Sequence, residues 1–234
     1  PRERPVPPTD PPPSEDCLYL NIWRPATPQN ASALPVLWWI HGGGFVGGAN
    51  SIGWYNGSKL AAQHNAIVVS IQYRLGPLGF LALPEPAQAH SGATGGLNGL
   101  RDAISSLRWV RRHIAAFGGD PSRVTAWGES SGGVAVCVLN ASPEAAGLFS
   151  SAVVMSGPCI VEGEGWGPES QGMGLARGKA LMHRLGARSL AELRRLQPQR
   201  IQWDNATLND DNFCGYSLDN HVLRSPPRVS YEQG

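Results

Sequence analysis

The sequence predicts an α/β fold in which a mainly parallel sheet is flanked by helices. Three observations carry that reading. Residues 35–40, 66–73, 124–127 and 152–155 are nearly unbroken apolar runs, the pattern of strands buried on both faces. A segment of helical period lies between the second and third runs, and a glycine-serine turn joins the third run directly to a helix of small residues.

Taken in chain order, residues 1–13 form a Pro-rich lead-in and residues 14–234 the folded domain. Residues 17–23 alternate, with Leu18, Leu20 and Ile22 on one face, which predicts a strand near the sheet edge. In residues 99–117, Leu100, Ile104, Leu107, Val110 and Ile114 recur at steps of four and three with Arg and Ser opposite, so this segment is a surface helix. Gly118-Gly119-Asp120-Pro121 stops it, because glycine closes helix ends and proline cannot continue the ladder. The strand 124–127 and a helix over 133–139 follow. Beyond Gly157 the pattern weakens: residues 175–185 and 189–196 read as helices, while 162–174 and 197–211 are rich in loop formers. No internal repeat is visible.

The 234 residues are 41% hydrophobic with a formal net charge of +1, enough to bury a sizeable core. Basic residues are scattered apart from Arg111 and Arg112, so no polyanion-binding stripe forms and nucleic acid is not an expected partner. The apolar runs fall far short of the ~20 residues that cross a bilayer, and no leader precedes them. The chain starts at Pro1 and not at Met, so an upstream start is expected to have been lost or removed. Asn-x-Ser/Thr triplets at Asn30, Asn56, Asn140 and Asn205 suggest a secreted or extracellular location. Asn140 is the weakest of them, since Pro143 follows and its helix looks buried.

Gly128-Glu129-Ser130-Ser131-Gly132 sits between a short apolar strand and a small-residue helix. A turn that tight strains the backbone of Ser130 and leaves its hydroxyl above the sheet, as a catalytic nucleophile requires. The helix that follows points unpaired N–H groups and its positive end toward a reacting carbonyl. His41-Gly42-Gly43-Gly44-Phe45 follows the strand 35–40, and its consecutive glycines leave amides uncovered. Gly43, Gly44 and the Ser131 amide are therefore the candidate oxyanion donors. His41, ending that strand, is expected to orient the glycine loop and not to act as the base.

These residues resemble the type B carboxylesterases, a family that includes cholinesterases, several lipases and the non-catalytic neuroligins. Ser14-Glu15-Asp16-Cys17-Leu18-Tyr19-Leu20-Asn21 is similar to the family's N-terminal signature, and residues 41–45 to its oxyanion loop. Tyr73-Arg74-Leu75-Gly76-Pro77-Leu78-Gly79-Phe80, residues 117–121 and residues 128–133 match further blocks in order. The resemblance implies an α/β-hydrolase fold, present here as an incomplete N-terminal to middle portion. It also implies a Ser, Glu or Asp, His triad that hydrolyses a small-molecule carboxylic ester through an acyl-enzyme. Glu129 and Ser156 match positions that hydrogen-bond around the triad. Residues 213–234 resemble the segment preceding the acid, so the acid and the histidine are expected beyond Gly234, and the 234 residues alone are expected to show little esterase activity.

Departures from the family pattern narrow the reading. Ser131 stands where most relatives have alanine, which leaves a backbone donor intact. No aromatic residue precedes Cys17, so the platform that cholinesterases use for a quaternary ammonium is missing from residues 1–16 and a choline ester is not the expected substrate. The resemblance pairs Cys17 with a cysteine upstream of Pro1. Cys137 is expected to be a buried free thiol, while pairing of Cys159 with Cys214 stays open. Two alternatives remain: a compact hydrolase using Asp210 or Asp211 with His221, and a neuroligin-like binding module, against which retention of Ser130 argues. No ligand spacing suggests a metal, no cofactor is implied, and the oligomeric state is not indicated.

Overall fold

The computed structural model describes residues 14–26, 33–83, 96–160, 167–202 and 216–233. The Pro-rich lead-in, Asn30, His90, Asn205, Asp210, Asp211 and Cys214 lie outside the described residues.

Strands β1 (Leu20–Trp23), β2 (Leu34–Ile40), β3 (Ile67–Ile71), β4 (Gly119–Glu129) and β5 (Ser151–Met155) form one five-stranded sheet in the order β1-β3-β2-β4-β5. The β2–β3, β2–β4 and β4–β5 pairs are parallel, and the alternating strand β1 closes one edge antiparallel to β3. All of β3 is buried, which is why it reads as an unbroken apolar run. β4 begins earlier than its apolar run, at Gly119. It tolerates Pro121 because the pairing with β2 jumps from Leu34↔Gly119 to Val36↔Val124, leaving the proline in an irregular stretch. β5 departs from the expectation of burial on both faces: Ser151, Ala152 and Val153 are exposed. Among the described residues it lies at one edge of the sheet and pairs only with β4, which leaves its outer side uncovered.

The helices are α1 (Ser58–His64), α2 (Gly76–Phe80), α3 (Asn98–His113), α4 (Ser131–Ala141), α5 (Gln171–Arg184), α6 (Leu190–Leu193), α7 (Pro198–Gln202) and α8 (Pro227–Gln233). α3 buries Leu100, Ile104, Leu107 and Val110 as its period predicts, then tightens into a 3-10 turn over Ile114–Phe117 that Gly118 ends at φ 87°. α4 is buried on every side from Ser131 to Leu139, because its small apolar residues let it sink between the sheet and its neighbours. α5 starts inside the stretch expected to be loop. The Ser170 side chain caps it by accepting from the Met173 N–H, a signal carried by a single residue. α7 likewise forms within the expected loop 197–211. The main core lies between the sheet and α3 and α4, around Trp38, Ile71, Tyr73, Leu107 and Val138. A smaller cluster of Leu81, Leu83, Leu181, Leu193 and Ile201 holds α5 to α7. No helix among the described residues is long and apolar enough to cross a membrane.

Two cysteine expectations are corrected. Cys137 is not a free thiol: it is bonded to Cys159, with 5.4 Å between their Cα atoms, so Cys159 is not available to Cys214. α4 runs back along β5, and the turn after β5 folds over it, which brings together residues 22 apart in sequence. Cys17 is half-buried and carries no disulfide among the described residues. Asn140, expected to be hidden, is exposed at the end of α4, as is Asn56 before α1.

Cross-linking residues 22 apart removes enough unfolded-chain freedom to be worth about 3 kcal/mol. Cys159→Ser should therefore lower the urea unfolding free energy by about that amount. Proteolytic mapping without reductant should recover the Cys137 and Cys159 peptides linked; finding both as free thiols would refute the pairing.

Candidate active site

Strand register assembles the site. Ile40 of β2 lies beside Gly128 of β4, and Glu129 of β4 beside Met155 of β5, so three parallel strands end together. The turns that follow them therefore meet above the same edge of the sheet.

Ser130 is the turn after β4. Its φ of 56° and ψ of −127° lie where side chains are strained, at a cost of about 1–3 kcal/mol. Its N–H donates to the Met155 carbonyl at 2.8 Å and its carbonyl accepts the Val134 N–H at 3.0 Å, which holds it there while it stays partly exposed. A Cβ on Gly132 would run into the Ile40 carbonyl and lie 2.8 Å from that of His41, so only glycine lets α4 start this close to β2. The first amides of α4, beginning with Ser131, have no acceptor within the helix.

The glycine loop lies against this turn. A Cβ on Gly42 would be 3.1 Å from Ser130 Cβ and 2.7 Å from the Glu129 carbonyl oxygen. Gly43, Gly44 and Phe45 follow with φ of 119°, 64° and 62°. Among the described residues neither the Gly43 nor the Gly44 amide has an acceptor, whereas the Gly43 carbonyl takes the N–H groups of Val46 and Gly47. Phe45 is clamped. Its ring packs on Phe80 and Tyr216, its carbonyl accepts the Gly76 N–H at 2.6 Å, and its own N–H donates to Ser131 Oγ at 3.2 Å.

His41 is fully buried and stacked on Tyr73, with ring centroids 4.6 Å apart. Its Nδ1 lies 2.8 Å from the Gly42 carbonyl oxygen, which can only accept, so Nδ1 carries the proton. Burial pushes this imidazole down to about 4, against the smaller opposing pull of the Gly42 carbonyl and the Gln72 side chain. The ring is therefore neutral near pH 7 and tied to the loop. Tyr73 Oη donates to the His41 carbonyl at 2.9 Å, and burial raises the pKa of this phenol while the nearby Ser131 hydroxyl opposes the rise.

Glu129 is partly buried; its carboxylate lies over Gly42 and raises the pKa of the Tyr55 phenol, second to burial. Ser156, at φ 51°, is exposed and makes no hydrogen bond among the described residues. His64, His113, His183 and His221 are exposed, and no described histidine bonds the Ser130 hydroxyl. The carboxylate of Asp219, beside His221, is buried and engaged by Arg101 at 3.5 Å and by the Leu223 N–H at 2.9 Å. No cluster of metal-binding side chains occurs among the described residues.

Residues 73–80 buttress the glycine loop, a role that the sequence motif alone did not disclose. Arg74 donates its backbone N–H, Nε and Nη2 to Asp102 of α3 at 3.0, 2.8 and 2.8 Å. Two residues on, Gly76 reaches the Phe45 carbonyl.

The sequence profile of the Carboxylesterase family matches residues 2–207. This chain belongs to the carboxylesterase family. Within that family it is 52% identical over 144 residues to a para-nitrobenzyl esterase of Bacillus subtilis, covering 62% of this chain and 28% of the relative. It is 39% identical over 221 residues to a fumonisin B1 esterase of Sphingopyxis macrogoltabida, covering 94% and 40%. The crystal structure of a Geobacillus stearothermophilus carboxylesterase superposes with a TM-score of 0.85 at 36% identity, covering 97% of this chain and 46% of that one. The sheet and helices are thus the corresponding part of an α/β-hydrolase fold, and the chain spans less than half the length of these carboxylesterases.

The buried His41 gives folding a pH dependence of defined sign. Its pKa falls from 6.5 to about 4 on folding, so between those values the unfolded chain holds a proton that the folded one lacks. Stability is present in full above pH 6.5 and is lost as pH falls toward 4, by roughly 3 kcal/mol from this group. Urea unfolding at pH 7 and pH 4.5 should show a smaller loss for His41→Gln than for the unaltered protein, and an equal loss in both would remove the imidazole from this account.

Proposed function

We propose that this chain supplies the nucleophile and oxyanion hole of a serine hydrolase that cleaves carboxylic esters through an acyl-enzyme on Ser130. The observation carrying the proposal is the placement of a strained, accessible serine between glycine amides that have no acceptor among the described residues and the start of a helix. Ser130 Oγ adds to the ester carbonyl carbon, and the carbonyl electron pair moves to oxygen. The resulting oxyanion accepts from the amides of Gly43, Gly44 and Ser131, each such donor being worth about 3 kcal/mol in the transition state. A histidine takes the Ser130 proton and returns it to the departing alkoxide, and water then releases the acid by the same steps in reverse roles. That histidine and its acid are assigned to family length that this chain does not span.

His41 orients the glycine loop in this scheme, a role supported by its neutral, buried ring and its bond to Gly42. Glu129 and Ser156 take the polar positions around the triad, the first over Gly42 and the second next to the Met155 carbonyl that holds Ser130. The substrate class is a small-molecule carboxylic ester. The names of the relatives range from para-nitrobenzyl to fumonisin esterase, and this breadth selects no single ester. The exposed triplet at Asn56 supports a secretory location. A binding module without chemistry is disfavoured by the retained Ser130 hydroxyl.

A fluorophosphonate probe should label the full-length enzyme at Ser130, with Ser130→Ala abolishing both labelling and ester hydrolysis. The 234 residues expressed alone should be labelled slowly at best, because no described histidine activates the hydroxyl. Undiminished labelling of Ser130→Ala would remove the nucleophile from this scheme.

A further inference from the structure

We infer that the Ser131 side chain is a positioning residue: its hydroxyl locks the glycine loop to the start of the nucleophile helix, so that the two sources of oxyanion donors stay in register. The inference rests on the hydrolase reading of Ser130 and concerns a different atom of Ser131 from the amide assigned above.

Ser131 is wholly buried at the first position of α4, and its Oγ accepts the N–H of Phe45, a residue 86 positions away. Phe45 holds a left-handed backbone at φ 62° without being glycine, and it is 2% exposed. Because the peptide unit is planar, fixing the Phe45 N–H also fixes the plane of the Gly44 carbonyl, and hence the torsion that aims the preceding amide. Gly43 and Gly44 have no side chains of their own to hold that aim. Without Oγ the Phe45 N–H would be left buried with no acceptor among the described residues, and turning that peptide to find one would carry Gly44 with it.

The same hydroxyl also lies at the other end of the loop. It is close enough to Tyr73 to perturb the phenol, whose Oη donates to the carbonyl of His41, the residue that opens the loop. One side chain thus bonds Phe45 directly and lies near Tyr73, which bonds the His41 carbonyl. Alanine, which the family pattern leads one to expect here, would keep the amide and lose the bond to Phe45. Compensation at Phe45 would then fall entirely on its ring contacts and on the Gly76 N–H.

The test uses the full-length enzyme with a nitrophenyl ester and a trifluoromethyl ketone, a mimic of the tetrahedral intermediate. Ser131→Ala should lower kcat by roughly tenfold or more with KM changed less than about twofold, and the affinity for the ketone should fall in step with kcat/KM. Ser131→Cys fills the same volume with a weaker acceptor. It should retain an intermediate kcat, and it carries the test should the alanine variant fail to fold. A kcat within about twofold of the unaltered enzyme in whichever variant folds, or a change in KM alone, overturns the positioning role. Ser130→Ala run in parallel separates the two ideas. If it retains activity the hydrolase reading itself fails, and if it is inactive while Ser131→Ala is normal, only the role of Ser131 does.

Discussion

The left-handed backbone of Ser130 is the constraint around which the rest of the site is arranged. A strand that enters a helix through one such residue brings the helix N-terminus almost against the neighbouring strand, and this close approach explains the composition nearby. Gly132 is there because the carbonyls of Ile40 and His41 occupy the space of a side chain, and Gly42 because Ser130 and the Glu129 carbonyl do. The turn cannot hold itself, since its strain is comparable to the net worth of one or two hydrogen bonds. It is pinned from β5 through Met155 and from α4 through Val134, so the outermost strand takes part in positioning a residue on its neighbour.

Beneath that turn, the interior solves a second problem with neutral groups. Loop carbonyls and amides that lie at the end of a buried strand need partners, and charged partners would carry a large desolvation penalty. His41, Tyr73 and Ser131 meet the need as an uncharged set: the phenol and hydroxyl are neutral at pH 7, and burial pushes the imidazole down to about 4. The ion pair that braces the same region, Arg74 with Asp102, sits further out, where the guanidinium is partly exposed and its charge stays partly hydrated. The Arg74–Asp102 charges are thus placed at the rim of this set, while His41, Tyr73 and Ser131 satisfy the loop with neutral dipoles.

Sequence patterning disclosed the strands that run through the sheet centre, α3 and the tight strand-to-helix turn at Ser130, because each is governed by local periodicity or by glycine spacing. Its failures have physical causes. β5 reads as doubly buried because Ala152, Val153 and Val154 are apolar, yet burial also depends on what flanks a strand, and among the described residues only β4 does. Short α1, α2 and α8 hold too few turns for a 3.6-residue period to emerge. The Cys137–Cys159 bond joins a helix to a loop whose path no pattern specifies. The support from Tyr73 and Gly76 was visible as a motif and opaque as a role, since a hydrogen bond across 31 residues from Gly76 to Phe45 leaves no trace in either segment alone.

Membership in the carboxylesterase family does not by itself decide between a hydrolase and a binding module, because one fold serves both. The proposed hydrolase reading rests on local energetics. A recognition surface has no need of a strained serine, of amides at Gly43 and Gly44 without acceptors among the described residues, or of a non-glycine residue at Phe45 forced into left-handed space. Each of these backbone features opposes folding, and of them only Phe45, whose ring packs on Phe80 and Tyr216, offsets part of its strain through packing. Contacts from β2, β5, α2 and α4 converge on these features and hold them against that strain, as the proposed acyl transfer would require of donors fixed in advance.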